Sequence, residues 1–183
     1  MATLATTNIK HASSSSNNIV LNSDGTAYIP GHIIQVVQSS ATSKVSNTTT
    51  TFVDSGLSGT ITPSSTSSKI LVFIVHSVNL KQSSANGGGF QILRGSTVIQ
   101  EAAPLDSLSR PIQAYLGNLS LGIDYYFHHP LQVLDSPSTT SATTYKTQFR
   151  LAVAGSSREM QAQPQTDGST DGISRMTLME VAA

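Results

Sequence analysis

The sequence predicts an all-β fold, a jelly-roll-like β-sandwich with a short N-terminal hairpin arm, and three observations carry that reading. Short β-prone runs recur along the chain between clusters of Ser, Thr, Asn, Gly and Pro, with no convincing helical segment among them. The most apolar stretch, Lys69 to Leu80, is dense in residues branched at Cβ, which are stiff at χ1 and suit an extended chain. The clearest alternation puts Tyr145, Thr147, Phe149, Leu151 and Val153 on one face, with Lys146, Gln148, Arg150 and Ala152 on the other.

Residues 1–31 read as a separate arm. Asp24-Gly25 sits between Ile19-Val20-Leu21 and Ala27-Tyr28-Ile29, a hairpin signal because Gly accepts the positive φ of a tight turn, and Pro30-Gly31 closes the unit. A hairpin this poor in apolar residues is marginal in water, so the arm is expected to dock on another surface, most simply a neighbouring subunit. Residues 32–183 form the sandwich domain. Ile33 to Gln38, Thr48 to Val53 and Leu57 to Thr62 read as strands, with Ser39 to Ser46 a polar connection and Pro63 to Ser68 a loop. Lys69 to Leu80 is the expected central strand, buried on both faces from Ile70 to Val75 and on one face from His76 onward. Gly87-Gly88-Gly89 reads as a flexible turn. Phe90 to Arg94 and Thr97 to Gln100 flank Gly95-Ser96 as a second hairpin.

The stretch from Glu101 to Pro111 reads as a loop with a helical turn. Ile112 to Leu116 and Tyr125 to Leu134 are extended, with Pro130 at a bulge or a sheet edge. Ser136 to Ser141 is a loop, Gly155 to Gly172 a long polar loop, and Met176 to Val181 the closing strand. Lys81 to Gly89 and Gly155 to Gly172 are the expected exposed, variable tips.

Composition narrows the function classes. Lys and Arg number 10 against 10 Asp and Glu, so the chain lacks the basic footprint of a nucleic-acid binder. With 29 serines, 21 threonines and only 11% charged residues, its polar surface is one of hydroxyls, which solvate a pleated sheet without charge. There is no cysteine, hence no disulfide and no thiolate metal site. Met1 to Thr7 lacks the basic start and apolar run of a signal peptide, and no stretch reaches the length needed to span a bilayer, so no membrane insertion is expected.

Motifs for chemistry are sparse. His128-His129-Pro130 is the one suggestive cluster; neighbours on a strand point to opposite faces, so convergence on a metal would need copies meeting at a symmetry axis. The plainer reading is a solvated or hydrogen-bonded pair. Gly87 to Gly89 lacks the Lys-Ser/Thr that follows a phosphate loop. Asn47-Thr48-Thr49 and Asn118-Leu119-Ser120 fit the glycosylation pattern by chance. Tyr115, Tyr125, Tyr126 and Tyr145 can stack on sugar rings, but packing in a core or interface is their commoner use. Neither a nucleophile elbow nor paired carboxylates appears, so no catalytic, cofactor or metal residue is assigned and no enzyme activity is expected.

Two blocks of sequence resemble known proteins. Ile9-Lys10-His11-Ala12 through Asn18, Ile19-Val20-Leu21 and Asp24-Gly25-Thr26 to Pro30-Gly31 resemble a module recurring in tail-fibre and structural proteins of marine and freshwater phages. The second block runs from Thr51-Phe52-Val53-Asp54 and Leu57 through Ile61-Thr62-Pro63-Ser64-Ser65-Thr66-Ser67-Ser68-Lys69-Ile70-Leu71-Val72. It continues at Leu93-Arg94-Gly95-Ser96, Leu134-Asp135-Ser136-Pro137-Ser138-Thr139-Thr140-Ser141-Ala142-Thr143-Thr144-Tyr145-Lys146 and Met176-Thr177-Leu178-Met179-Glu180-Val181-Ala182-Ala183, and is similar to the C-terminal domain of the same proteins, those of cyanophages especially.

The resemblance implies a virion surface component, assembled in the host cytoplasm as a homotrimer. Related fibres carry a long shaft before this domain, whereas here the N-terminal module starts at Met1, which suggests either a short fibre set directly on a tail or a capsid decoration protein built from the same domain. The first expectation is therefore a short tail fibre, attached by its arm to a tail baseplate or adaptor and meeting a host surface glycan through its sandwich. The alternative is a capsid decoration protein that stabilises the phage head. The third is a glycan-processing fibre module.

Overall fold

The structure, a computed structural model, describes residues 6–13, 15, 19–21, 23, 27–29, 31–82, 86–101, 113–116, 123–155, 157–165 and 172–182. These form strands and no helix. In chain order they are β1 (Asn8–Ile9), β2 (Ile19–Leu21), β3 (Ala27–Tyr28), β4 (Ile33–Ala41), β5 (Val45–Asn47), β6 (Val53–Ile61) and β7 (Lys69–Gln82). The series continues with β8 (Asn86–Arg94), β9 (Thr97–Glu101), β10 (Gln113–Leu116), β11 (Ile123–Asp135), β12 (Thr143–Leu151), β13 (Glu159–Ala162) and β14 (Ser174–Val181).

β7 is central, as its composition predicts. One edge pairs with β11 over its whole length; the other is shared by β14 against its first half and β13 against its second. β4 flanks β14 and β5 flanks β13, completing the larger sheet. The smaller sheet runs β6-β12-β8, with β9 and β10 sharing the outer edge of β8. The order β4-β14-β7-β11 facing β6-β12-β8-β9/β10 is that of a jelly roll, all pairings antiparallel. The expected sandwich is the fold.

Between the sheets lie Leu57, Ile61, Ile70, Val72, Ile74, Val78, Leu80, Phe90, Ile92, Tyr145, Phe149, Leu151, Met176 and Leu178. They sit at every second position of their strands, the arrangement that a two-layer sandwich dictates. Gly56, at φ +81, lets β6 bulge opposite Thr147, where Ser55 to Leu57 take the place of one residue while Ser55 and Leu57 keep the inward face. Pro130 sits on the edge strand β11 without disturbing its register to β7, as expected of a residue whose missing N–H faces solvent.

Four sequence expectations need correction. β7 is buried on both faces in its second half rather than its first. Ser77 and Asn79 are enclosed, Asn79 by hydrogen-bonding contacts to Gln161 and Asp124 of the flanking strands, whereas Phe73 is 40% exposed because no layer covers that half. Gly87 to Gly89 are not a turn but the buried start of β8, paired to β10 and β12. The span Gly155–Gly172 is not simply a loop, for it contains β13, with Met160 to Pro164 buried. Thr49 to Thr51 form bends, and the strand begins only at Val53. The reading of 101–111 falls largely on residues outside those described.

The arm forms its own antiparallel sheet, β1-β2-β3, with Leu21 opposite Ala27 as the hairpin predicts. Its root is pinned to the sandwich where the Gly31 amide donates to the Ala182 carbonyl at 2.9 Å and the Ala182 amide to the His32 carbonyl at 2.9 Å.

Gly88 generates a test. A Cβ there would overlap the Met160 sulfur and come within 3.0 Å of the Arg150 carbonyl oxygen. Gly88→Ala is therefore expected to cost about 1–3 kcal/mol, measured by urea unfolding; an unchanged midpoint would show that Met160 withdraws freely.

Candidate functional site

Two inward positions break the apolar pattern. His76 follows Ile70, Val72 and Ile74 along the core face of β7, and Thr147 lies between Tyr145 and Phe149 on β12; both are fully buried. A buried polar group needs partners, and these two find each other across the sandwich. His76 Nε2 lies 2.9 Å from Thr147 Oγ1, which lies 2.6 Å from Ser55 Oγ of β6. His76 Nδ1 lies 3.1 Å from Ser174 Oγ of β14.

The proton positions follow from counting donors. Gln163, turned so that its amide oxygen accepts from Ser174 Oγ at 2.7 Å, points its nitrogen at the carbonyls of Ser43 and Ser55, at 3.2 and 2.9 Å. Ser174 Oγ also accepts the Ser77 amide at 3.1 Å, so its one hydrogen goes to Gln163, and His76 Nδ1–H must donate to it. His76 Nε2 then accepts from Thr147, Thr147 accepts from Ser55, and Ser55 accepts the Leu57 amide at 3.2 Å. The imidazole is neutral. Burial, with His129 beside it, pushes its pKa down to about 3, and the Phe90 ring stacks on it at 4.4 Å. The chain of hydrogen bonds is fully enclosed, and it fastens β6 and β12 to β7 and β14.

Two carboxylates make further fasteners. Glu180 is fully enclosed; burial raises its pKa, but hydrogen bonds from Gln35, Ser64 and Ser68 outweigh that and hold it below the usual range. Gln35 Nε2 donates at 2.6 Å, and Ser64 donates from its amide at 2.8 Å and its hydroxyl at 2.6 Å. Asp135 accepts Arg94 Nη1 at 2.9 and 2.8 Å and the Tyr145 hydroxyl at 2.7 Å. Burial and the Asp135 carboxylate keep that phenol protonated far above its ordinary range.

His128 and His129 point to opposite faces, as strand geometry requires. His128 is exposed on the open side of the larger sheet, and His129 faces inward, 5.5 Å from Phe90 and opposite His76. Among the described residues no group of three or more His, Asp or Glu is placed to hold a metal. Tyr145 is core, whereas Tyr125 and Tyr126 are about half exposed. Asn47 is buried, donating to the Thr51 and Phe149 carbonyls and accepting from Thr49, so it is no glycan acceptor. Asn118 lies outside the described residues, as does the Tyr115 side chain.

The surface with a binding character is the open face of the larger sheet. Val36, Met179, Leu71 and Leu134 stand opposite one another across four strands. The next rows add Phe73, Val75 and Pro130, and Ile33 and Ile34 lie at the end. Val36, Phe73 and Leu134 are 57%, 40% and 54% exposed. Beside them a shallow cavity of about 330 Å³ is lined by Gln38, Phe73, Val75, His128, Ile173, Arg175 and Thr177. Away from this half the face turns polar, with Lys81 between Asp124 and Glu159 at 3.9 and 3.7 Å. Sequence reasoning passed over this face because its residues looked like core. It also missed Ser55, Thr147, Gln163 and Ser174, although a lone polar residue at an inward position of β7 or β12 was the available signal.

No protein-family model matches the chain, and no curated protein is significantly similar to it. Among solved structures it is similar to the crystal structure of the infectious bursal disease virus VP2 subviral particle, with a TM-score of 0.32 and 10% identity over 96% of this chain. The match spans 42% of that chain, so this protein covers less than half its length.

The neutral, buried imidazole makes stability pH-dependent. An unfolded histidine takes up a proton near pH 6.5 whereas His76 resists until about pH 3, so its contribution is complete above about 6.5 and lost as the pH falls. Between pH 7 and 5 the loss should be about 2 kcal/mol. Urea unfolding of the protein and of His76→Gln isolates it: the variant is expected to lack that part of the pH slope. Thr147→Val, which strips Nε2 of its donor, should cost about 1–3 kcal/mol at pH 7.

Proposed function

We propose that this protein is a non-enzymatic structural component of a phage virion surface, a short tail fibre whose residues 1–31 attach it and whose sandwich faces the host. What supports the reading most is the resemblance of its sequence blocks to phage tail-fibre proteins, together with what those blocks do here. Pro63 to Lys69 and Met176 to Val181 meet at Glu180, and Leu93 to Ser96 meets Leu134 to Lys146 at Asp135. The shared sequence is thus spent on holding a sandwich together, as suits a part that must last without disulfides.

The protein assembles as a homotrimer, contacts a tail baseplate or adaptor through the arm, and meets a host surface glycan, for which the half-exposed Tyr125 and Tyr126 offer stacking faces. A second reading, a capsid decoration protein, is favoured by one feature: the arm exposes Ile9, Leu21 and Ile29, as a clamp between neighbouring capsid subunits would require. Gold-labelled antibody against the chain on intact virions decides between them. Label at the tail is expected; label spread over the head would make it a decoration protein, and unlabelled particles would overturn the virion reading.

A further inference from the structure

Two apolar surfaces of this chain lack cover. One is the open half-face of the larger sheet around Val36, Leu71, Phe73, Leu134 and Met179. The other belongs to the arm. Its register puts Ile9 opposite Ile19 and Leu21 opposite Ala27, so these four side chains share one face of β1-β2-β3. Ile9 and Leu21 remain 45% and 38% exposed. A three-stranded sheet of two- and three-residue strands cannot stand on such a face alone.

We propose that the arm of one copy lays this apolar face on the open half-face of a second copy. Charge favours the arm over a plain face-to-face pair. The apolar half-face carries Arg175 and Lys69 and, among the described residues, no carboxylate, so stacking two such faces buries cations without partners. The four arm residues carry no charge.

The turn at Ile29–His32, closed by the His32 amide on the Ile29 carbonyl at 3.2 Å, and the two bonds to Ala182 hold the arm's root at the end of β14. That placement leaves Ile9, Leu21 and Ile29 in solvent rather than folded over the larger sheet of their own chain. Arm on face is a head-to-tail contact, which closes as a ring where the rotation between copies allows. The inference deepens the assembly reading above and rests on it for the number three alone.

The absence of cysteine makes the contact directly testable in the full chain. Chains carrying Leu21→Cys are mixed with chains carrying Val36→Cys and oxidised. Disulfide dimers joining one of each are expected in at least tenfold excess over either homodimer. Predominance of homodimers, or closure within single chains of the double variant, overturns the proposal. Sedimentation of the wild-type chain should give three times the 19.2 kDa chain mass, and Leu134→Asp, at an exposed site that folding tolerates, should raise the concentration for half-assembly at least tenfold. A wild-type monomer overturns the assembly reading itself. A trimer indifferent to Leu134→Asp overturns only the arm-on-face contact, and neither result bears on where virions are labelled.

Discussion

The chain of hydrogen bonds through His76 is the constraint on which the sandwich depends. It begins at the Leu57 amide, passes Ser55, Thr147, His76 and Ser174, and ends at Gln163, whose nitrogen reaches back to the Ser55 carbonyl. Every hydroxyl donates once and every link has one direction, so no member can be removed without leaving a buried group unmet. Because side chains alternate along a strand, a one-residue slip of β7 would turn His76 outward and bring Ser77 into the core. An apolar core tolerates such slips more readily than a polar chain that must close. Gln163 carries the strain of this arrangement, holding φ +51 while wholly buried, its own amide bonded to the Ser77 carbonyl at 3.0 Å.

The two carboxylate clusters fasten other parts of the same sandwich. Glu180 ties the β6–β7 connection and β4 to β14; Asp135 ties the end of β11 to β8 and β12. The strands that build these clusters also form part of the open apolar face, through Leu71, Leu134 and Met179. Fastening and exposed surface thus share the same strands, the inward positions serving one and the outward positions the other.

How much of this was legible depended on whether a residue's neighbours lie within its own strand. β7, β12 and β14 were readable because branched or alternating apolar residues announce both strand and face. β13 was not: Gln161 and Gln163 look like loop residues, and only Asn79, Ser77 and Ser174, remote in sequence, make their burial affordable. Gly87 to Gly89 looked like a turn for the same reason. Its meaning lies in Met160, which occupies the space a side chain would need. The exposed half of β7 misled in the opposite sense, since Phe73 in sequence is indistinguishable from core. Local pattern reveals that a face is apolar; it does not reveal what covers it.

Association through strand edges is the usual hazard of an open sandwich, and here two of the edges are guarded. β11, the longest free edge, carries Pro130 midway, with no N–H to offer a thirteenth-residue-long partner strand an unbroken ladder. β8 has β9 and β10 lying end to end along its outer side. Another copy therefore gains little by extending a sheet at these two edges. The faces differ: one half of the larger sheet is closed by Asn79, Gln161 and the Lys81 ion pairs, and the other exposes Val36, Phe73 and Leu134. Apolar area left in water is costly in proportion to its extent. The same sheet that blocks growth at these edges thus leaves an apolar route to association across its face.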